Sequence, residues 1–138
     1  AYAVAGGRVF GLLRGDYAVL LWDARRAELL ACRDLFGMRP LHVARAGGRV
    51  LLASDLRALA PDVSADLDEG ALAEHLCGRV TDRAHTLLTA VRRVIPGGVL
   101  HVGRDGCRWT ALPMPRGLNL AGRTVPDLHD ELCVRLDE

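Results

Sequence analysis

At 138 residues the chain can hold one domain with a buried core, or one domain and part of a second. Half of the residues are apolar and a quarter are charged, which excludes a disordered or fibrous chain. A formal net charge of +1 gives no overall pull toward nucleic acid or a membrane surface, so neither is an expected partner.

All 18 basic residues are arginine. The longest apolar runs, Ala18–Trp22 and Val50–Ala53, are far too short to span a bilayer, and no signal-peptide pattern opens the chain. Cys32, Cys77, Cys107 and Cys133 are widely spaced without a C-x-x-C pair, so neither a disulfide framework nor a zinc site is expected. The expected setting is the reducing cytoplasm. The chain starts at Ala1 and stops at Glu138 inside a helical pattern, so both ends read as cut.

In chain order, Gly6–Gly15 is weakly helical, with Val9, Leu12 and Leu13 on one side. Tyr17–Asp23 is an apolar run that reads as a buried strand. The polar connection Ala24–Ala27 leads to a second strand, Glu28–Arg33, forming a hairpin. Leu41–Arg45 and Val50–Ser54 make another hairpin around Gly47-Gly48, a pair suited to positive φ. A helix starts at Ser54 or Asp55 and stops at Pro61. Asp68-Glu69-Gly70 opens a helix to about Cys77, with Leu72, His75 and Leu76 as its inner face. Thr86–Val94 has no clear period. Pro96-Gly97-Gly98 turns into a strand at Val99–Val102, and Arg104-Asp105-Gly106 turns into a return strand, Cys107–Leu112. Pro113–Gly122 is rich in Pro, Gly and Asn and reads as a linker. From Thr124 an amphipathic helix carries Leu128, Leu132 and Leu136. The pattern is α+β, with strands in hairpins and helices on a face, not a parallel doubly wound sheet.

Few residues suggest chemistry. Arg33-Asp34 could be a catalytic pair, but no nucleophile or base stands beside it in sequence. It reads instead as an Arg–Asp pair, with bidentate geometry available, that orders the following turn. Gly37 and Pro40 shape that turn. Cys32 sits in an apolar strand and reads as a small buried hydrophobe. Cys77 near His75 and His85 has no common metal-site spacing. Ser54 reads as a helix cap rather than a nucleophile. Neither Gly47-Gly48 nor Gly97-Gly98 belongs to a phosphate-cradling motif. Arg92-Arg93 is too small a cluster for nucleic acid, and aromatic residues are scarce.

The ordered set carries a resemblance. Gly15-x-Tyr17-Ala18 with Leu21-Trp22-Asp23 comes first, followed by Ala31-x-Arg33-Asp34-x-x-Gly37-x-x-Pro40-Leu41. Ala53-Ser54-Asp55-x-x-Ala58-Leu59 comes next, and then Leu72-Ala73-x-x-Leu76, Thr86, Val91–Val94 and Pro96-Gly97. Together they resemble the later part of the class II glutamine amidotransferase domain of the asparagine synthetase B family. The resemblance implies part of an N-terminal-nucleophile type α/β/β/α sandwich of antiparallel sheets over residues 1–112. It implies a linker over 113–123 and the first helix of an ATP-dependent synthetase domain over 124–138. Arg33, Asp34, Gly37, Pro40, Leu41, Ser54, Pro96 and Gly97 are the family-signature residues, with structural roles expected.

The resemblance also implies a parent enzyme that activates a carboxylate by adenylation with ATP and magnesium. Glutamine hydrolysis supplies its ammonia, and a downstream synthetase domain is its partner. The family nucleophile is a cysteine at the mature N-terminus, where this chain has Ala1, and the family pyrophosphate loop lies beyond Glu138. No catalytic, cofactor-binding or metal residue is therefore expected here, and the chain alone is expected to be inactive. Two further readings stay open. One is the structural N-domain of a lasso-peptide cyclase or β-lactam synthetase-like ligase without glutaminase activity, acting on a peptide or amino-acid carboxylate. The other is a non-catalytic binding module.

Overall fold

The computed structural model describes Tyr2 and residues 6–114 and 122–136. Three tight hairpins build most of it. Strands β1 (Ala18–Asp23) and β2 (Glu28–Arg33) pair antiparallel from Ala18↔Arg33 to Asp23↔Glu28. Asp23 ends β1 and organises the turn, its Oδ1 accepting from the backbone N–H groups of Arg25 (2.9 Å) and Arg26 (3.1 Å). Strands β3 (His42–Ala46) and β4 (Arg49–Ala53) are joined by Gly47-Gly48 at φ +54° and +74°. This is the conformation a two-residue turn needs to match strand twist, and glycine reaches it without steric cost. Strands β6 (Gly98–Gly103) and β7 (Gly106–Ala111) form the third hairpin, around Arg104-Asp105.

β2 pairs with β6, giving a four-stranded sheet in the order β1-β2-β6-β7. β5 (Val91–Arg93) pairs with β3, giving a second sheet in the order β4-β3-β5. Sequence reading misses β5. It has three residues, and the run Val91-Arg92-Arg93-Val94 alternates too briefly to show a period of two.

Side-chain alternation separates three apolar layers. Ala31 and Leu100 of the large sheet meet Leu41, Val43 and Val94 of the small one, forming the core between the sheets. On the other face of the large sheet, Leu30, Cys32 and Val99 pack against Val9 and Phe10 of a 3-10 segment, Gly6–Leu12. On the outer face of the small sheet, Ala44 and Val91 pack against Leu59, with Leu56 and Val63 beside it. The result is an α+β sandwich of two antiparallel sheets with helical turns on both outer faces, as the N-terminal-nucleophile type fold requires.

Several local expectations are corrected. The segment Gly6–Leu12 buries Val9 and Phe10 and leaves Leu12 and Leu13 exposed, because three residues per turn break the spacing of an α-helix. The helix expected after Ser54 is two 3-10 turns, Leu56–Ala58 and Ala60–Asp62. Pro61 opens the second turn instead of ending the first, since its fixed φ suits a helical N-terminus. Helix α1 (Glu69–Leu76) is capped by Asp68, whose side chain accepts from Ala71 N–H at 2.9 Å. Its expected inner face is not buried: His75 is exposed and Leu76 is 77% exposed. Helix α2 (Val125–Leu136) opens at Thr124, whose backbone N–H and hydroxyl both donate to Asp127 Oδ2. Leu132 and Leu136 on α2 are exposed. The linker expected over 113–123 falls largely on residues 115–121, outside the described residues.

Leu100 lies at the centre of the inter-sheet core and is 1% exposed. Leu100→Ala is expected to lower unfolding free energy by about 2–5 kcal/mol, read by urea denaturation. A cost near zero would mean the two faces do not pack as described.

Candidate functional site

The residues expected as signatures, Ser54 apart, are separated in sequence but converge where the chain leaves one sheet and re-enters it. β2 ends at Arg33, and residues 34–41 cross to β3 in the second sheet. Residues 94–97 cross back from β5 to β6. The two crossings lie side by side. Val94 N–H donates to the Leu41 carbonyl (2.8 Å), and Gly97 N–H donates to the Asp34 carbonyl (2.8 Å).

Arg33 is buried, and its guanidinium is bound entirely by backbone. Nε donates to the Arg39 carbonyl (2.7 Å), Nη1 to the Val94 carbonyl (2.8 Å), and Nη2 to the Gly37 carbonyl. One planar side chain thus joins both crossings. Asp34 does the complementary work. Its Oδ1 accepts from Phe36 N–H (3.0 Å) and Met38 N–H (3.1 Å), and its Oδ2 from Arg39 N–H (3.3 Å). The expected bidentate Arg33–Asp34 ion pair does not form. Adjacent residues on an extended chain point to opposite sides, and each finds unpaired backbone groups of the turn instead. Instead of pairing with each other, the two side chains bind backbone groups of the turn.

Gly37 and Pro96 meet at the centre. Gly37 has φ +67°, and a Cβ there would lie 2.7 Å from Pro96 Cγ and 3.0 Å from the Arg33 guanidinium carbon. Gly97, at φ +69°, would bring a Cβ to 3.1 Å from Leu35. Leu41 is buried in the inter-sheet core, while Pro40 is exposed on the turn. Ser54 is not part of the cluster. It is exposed at the end of β4, and the cap is Asp55, which accepts from Arg57 N–H at 2.9 Å. The turn carries Phe36 outward, 86% exposed, with Met38 beside it.

Burial raises the Asp34 carboxyl pKa, but the backbone N–H groups of Met38, Arg39 and Phe36 outweigh it and hold the group below its ordinary 3.8. Burial is also the main influence on Arg33, lowering its pKa, with Arg93 adding to the effect. The thiol of Cys32 is pushed up to about 11, chiefly by burial, so it stays protonated and unreactive. Cys77 is exposed at the end of α1. Among the described residues no group of three or more His, Cys, Asp or Glu is arranged to hold a metal ion.

The glycines around the turn form no phosphate cradle. The glycines that might cradle phosphate are otherwise occupied: Gly97 packs on Leu35, a Cβ on Gly98 would lie 2.9 Å from the Ile95 carbonyl, and Gly47-Gly48 form a hairpin turn. The site is therefore a brace between two sheets. Sequence reading missed one member, the Val94 carbonyl, because nothing in a local pattern shows which distant strand an arginine reaches. Among the described residues no helix is long and apolar enough to cross a membrane.

Comparison with known proteins agrees with this architecture. Residues 1–111 match the family model for a glutamine amidotransferase domain. A putative glutamine-hydrolyzing asparagine synthetase of Mycobacterium tuberculosis is 31% identical over 105 residues, which is 72% of this chain and 16% of that protein. Asparagine synthetase [glutamine-hydrolyzing] 1 of Bacillus subtilis is 30% identical over 95 residues, 68% of this chain and 15% of that protein. A Penicillium rubens protein named Amidase chyE is 34% identical over 93 residues, 64% of this chain and 13% of that protein. The two-sheet sandwich and the match over residues 1–111 define a glutamine amidotransferase type of domain. The chain belongs to the glutamine amidotransferase domain family of the asparagine synthetases. It spans about one sixth of the length of the curated relatives it matches.

Two expectations follow. Gly37→Ala should cost about 2–4 kcal/mol, from positive φ and the Pro96 contact. Arg33→Lys should cost about 2–3 kcal/mol, because a point charge cannot serve three carbonyls. Urea denaturation checks both, and losses under about 0.5 kcal/mol, the usual range for surface changes, would contradict the brace.

A third expectation concerns acid. Asp34 is depressed in the fold, so its contribution is complete above pH 3.8 and is lost as pH falls from there through the folded value. His42 is held below its ordinary 6.5, first by burial and then by Arg93, so the fold resists its protonation. The unfolded chain takes up that proton as pH drops below 6.5, so stability should begin to fall there, well before Asp34 titrates. Urea midpoints measured at about pH 7.5 and about pH 5 should differ in the native chain and far less in His42→Gln. An unchanged difference in that variant would remove His42 as the cause.

Proposed function

We propose that this chain is the later part of the amidotransferase domain of an ATP-dependent, amide-forming ligase that takes its nitrogen from glutamine. The observation that carries the reading is the match of residues 1–111 to the amidotransferase family, alongside relatives named as glutamine-hydrolyzing asparagine synthetases. In this reading residues 113–123 link to a synthetase domain and α2 is that domain's first helix. The end of the family match at residue 111 supports that boundary. Carboxylate adenylation with ATP and magnesium belongs to that partner domain. Free, separated cysteines and the absence of a membrane-crossing helix among the described residues support a cytoplasmic setting.

The contribution of this segment is rigidity. Its Arg33–Asp34 brace holds two sheets in register, and the amidotransferase centre is built on such a scaffold rather than from these residues.

The test uses the longer protein that carries this domain. Wild type should release ammonia from glutamine and convert ATP to AMP and pyrophosphate. Arg33→Lys should reduce glutamine-dependent synthesis at least about tenfold while sparing synthesis from added ammonia, since a factor of ten is about 1.4 kcal/mol. ATP cleavage without any glutamine hydrolysis would replace this reading with the cyclase-like ligase. Neither activity in the wild type would leave the binding module.

A further inference from the structure

We infer that the cleft between the C-terminal end of α1 and strand β5 is a binding site for a tetrahedral oxyanion of the phosphate class. The cleft has a volume of about 350 Å³ and is lined by Glu74, His75, Arg79, Asp82, His85 and Arg93, among others. Its acids are already engaged. Glu74 Oε2 accepts from Thr81 N–H (3.0 Å), and Asp82 Oδ1 from Ala84 N–H (2.7 Å). Asp82 Oδ2 faces both Arg92 Nη2 and His85 Nε2 at 3.2 Å.

Its cations are not engaged. Among the described residues, neither the Arg79 nor the Arg93 guanidinium has a hydrogen-bond or ion-pair partner. Arg93 is half-buried, where an unpaired charge is costly. It lies directly across the ladder from His42, which is buried with an unpartnered Nδ1. The Arg33 guanidinium is close enough to be felt electrostatically, and the one acid near it, Asp34, is bound by backbone N–H groups. In this corner of the fold Glu74, Asp82 and Asp34 all accept from groups of the fold itself, while the Arg79 and Arg93 guanidiniums keep open, fork-shaped donors. Two free guanidiniums on one cleft match a divalent phosphate better than a monovalent carboxylate, and the cleft is wide enough for the group with its water.

The test is a titration of the full 138-residue chain with sodium phosphate, ionic strength held constant with chloride, following the ring C–H signals of His75 and His85 by NMR. Saturable shifts are expected. Arg93→Gln and Arg79→Gln should each weaken binding at least about tenfold, and Arg104→Gln, on the β6–β7 turn, should leave it unchanged. If Arg93→Gln does not fold, Arg79→Gln decides, since Arg79 is exposed and supports no core contact. The absence of saturable shifts, or shifts that survive both substitutions, would overturn the site. Equal shifts with acetate would overturn its assignment to phosphate.

Discussion

The fold depends on one guanidinium. Arg33 sits at the last position of β2 and reaches the carbonyls of Gly37, Arg39 and Val94. The first two belong to the crossing from the large sheet to the small one, and the third to the crossing back. A sandwich of two sheets is held by its apolar layer, but that layer is non-directional. Which strand end faces which is set by directional bonds at the crossings. Lysine offers donors on a flexible stem, whereas arginine's rigid fork can serve three fixed carbonyls at once.

Asp34 makes the brace possible by satisfying the turn from within. Three amides of this one turn would otherwise face a region with no strand partner. The carboxylate accepts from Phe36, Met38 and Arg39, and its own carbonyl accepts from Gly97. The two neighbouring charges therefore act on the backbone rather than on each other. Gly37 then follows as a steric necessity, since the space a Cβ would need is held by Pro96 and Arg33 itself.

The strands and hairpins were legible because their signals are local. Gly47-Gly48 marked a tight turn by its conformational freedom, and Tyr17–Asp23 and Glu28–Arg33 marked strands by composition. The ordered signature also located the turn at Arg33–Leu41. What stayed hidden was long-range. Val94 lies 61 positions from Arg33, and no residue type announces that a carbonyl will accept a distant guanidinium. β5 was hidden by shortness. The helices opening at Asp68 and Thr124 were legible from their caps, whereas the first two helical segments and the buried face of α1 were misjudged for a different reason: a 3-10 turn does not keep the α-helical spacing, and amphipathic spacing in α1 marked a face that the described residues leave open to solvent.

The turn has an unusual combination of properties that allows a direct test. Phe36 is 86% exposed, yet its amide is bonded to a buried carboxylate, and Met38 is placed the same way. Native-state hydrogen exchange of the Phe36, Met38 and Gly97 amides is the decisive measurement. If the brace governs the fold, these amides exchange only with global unfolding, at the same free energy as Leu100 in the core. Fast exchange of the turn amides beside a protected Leu100 would show a loop that opens independently, and would contradict the central role given to Arg33 and Asp34.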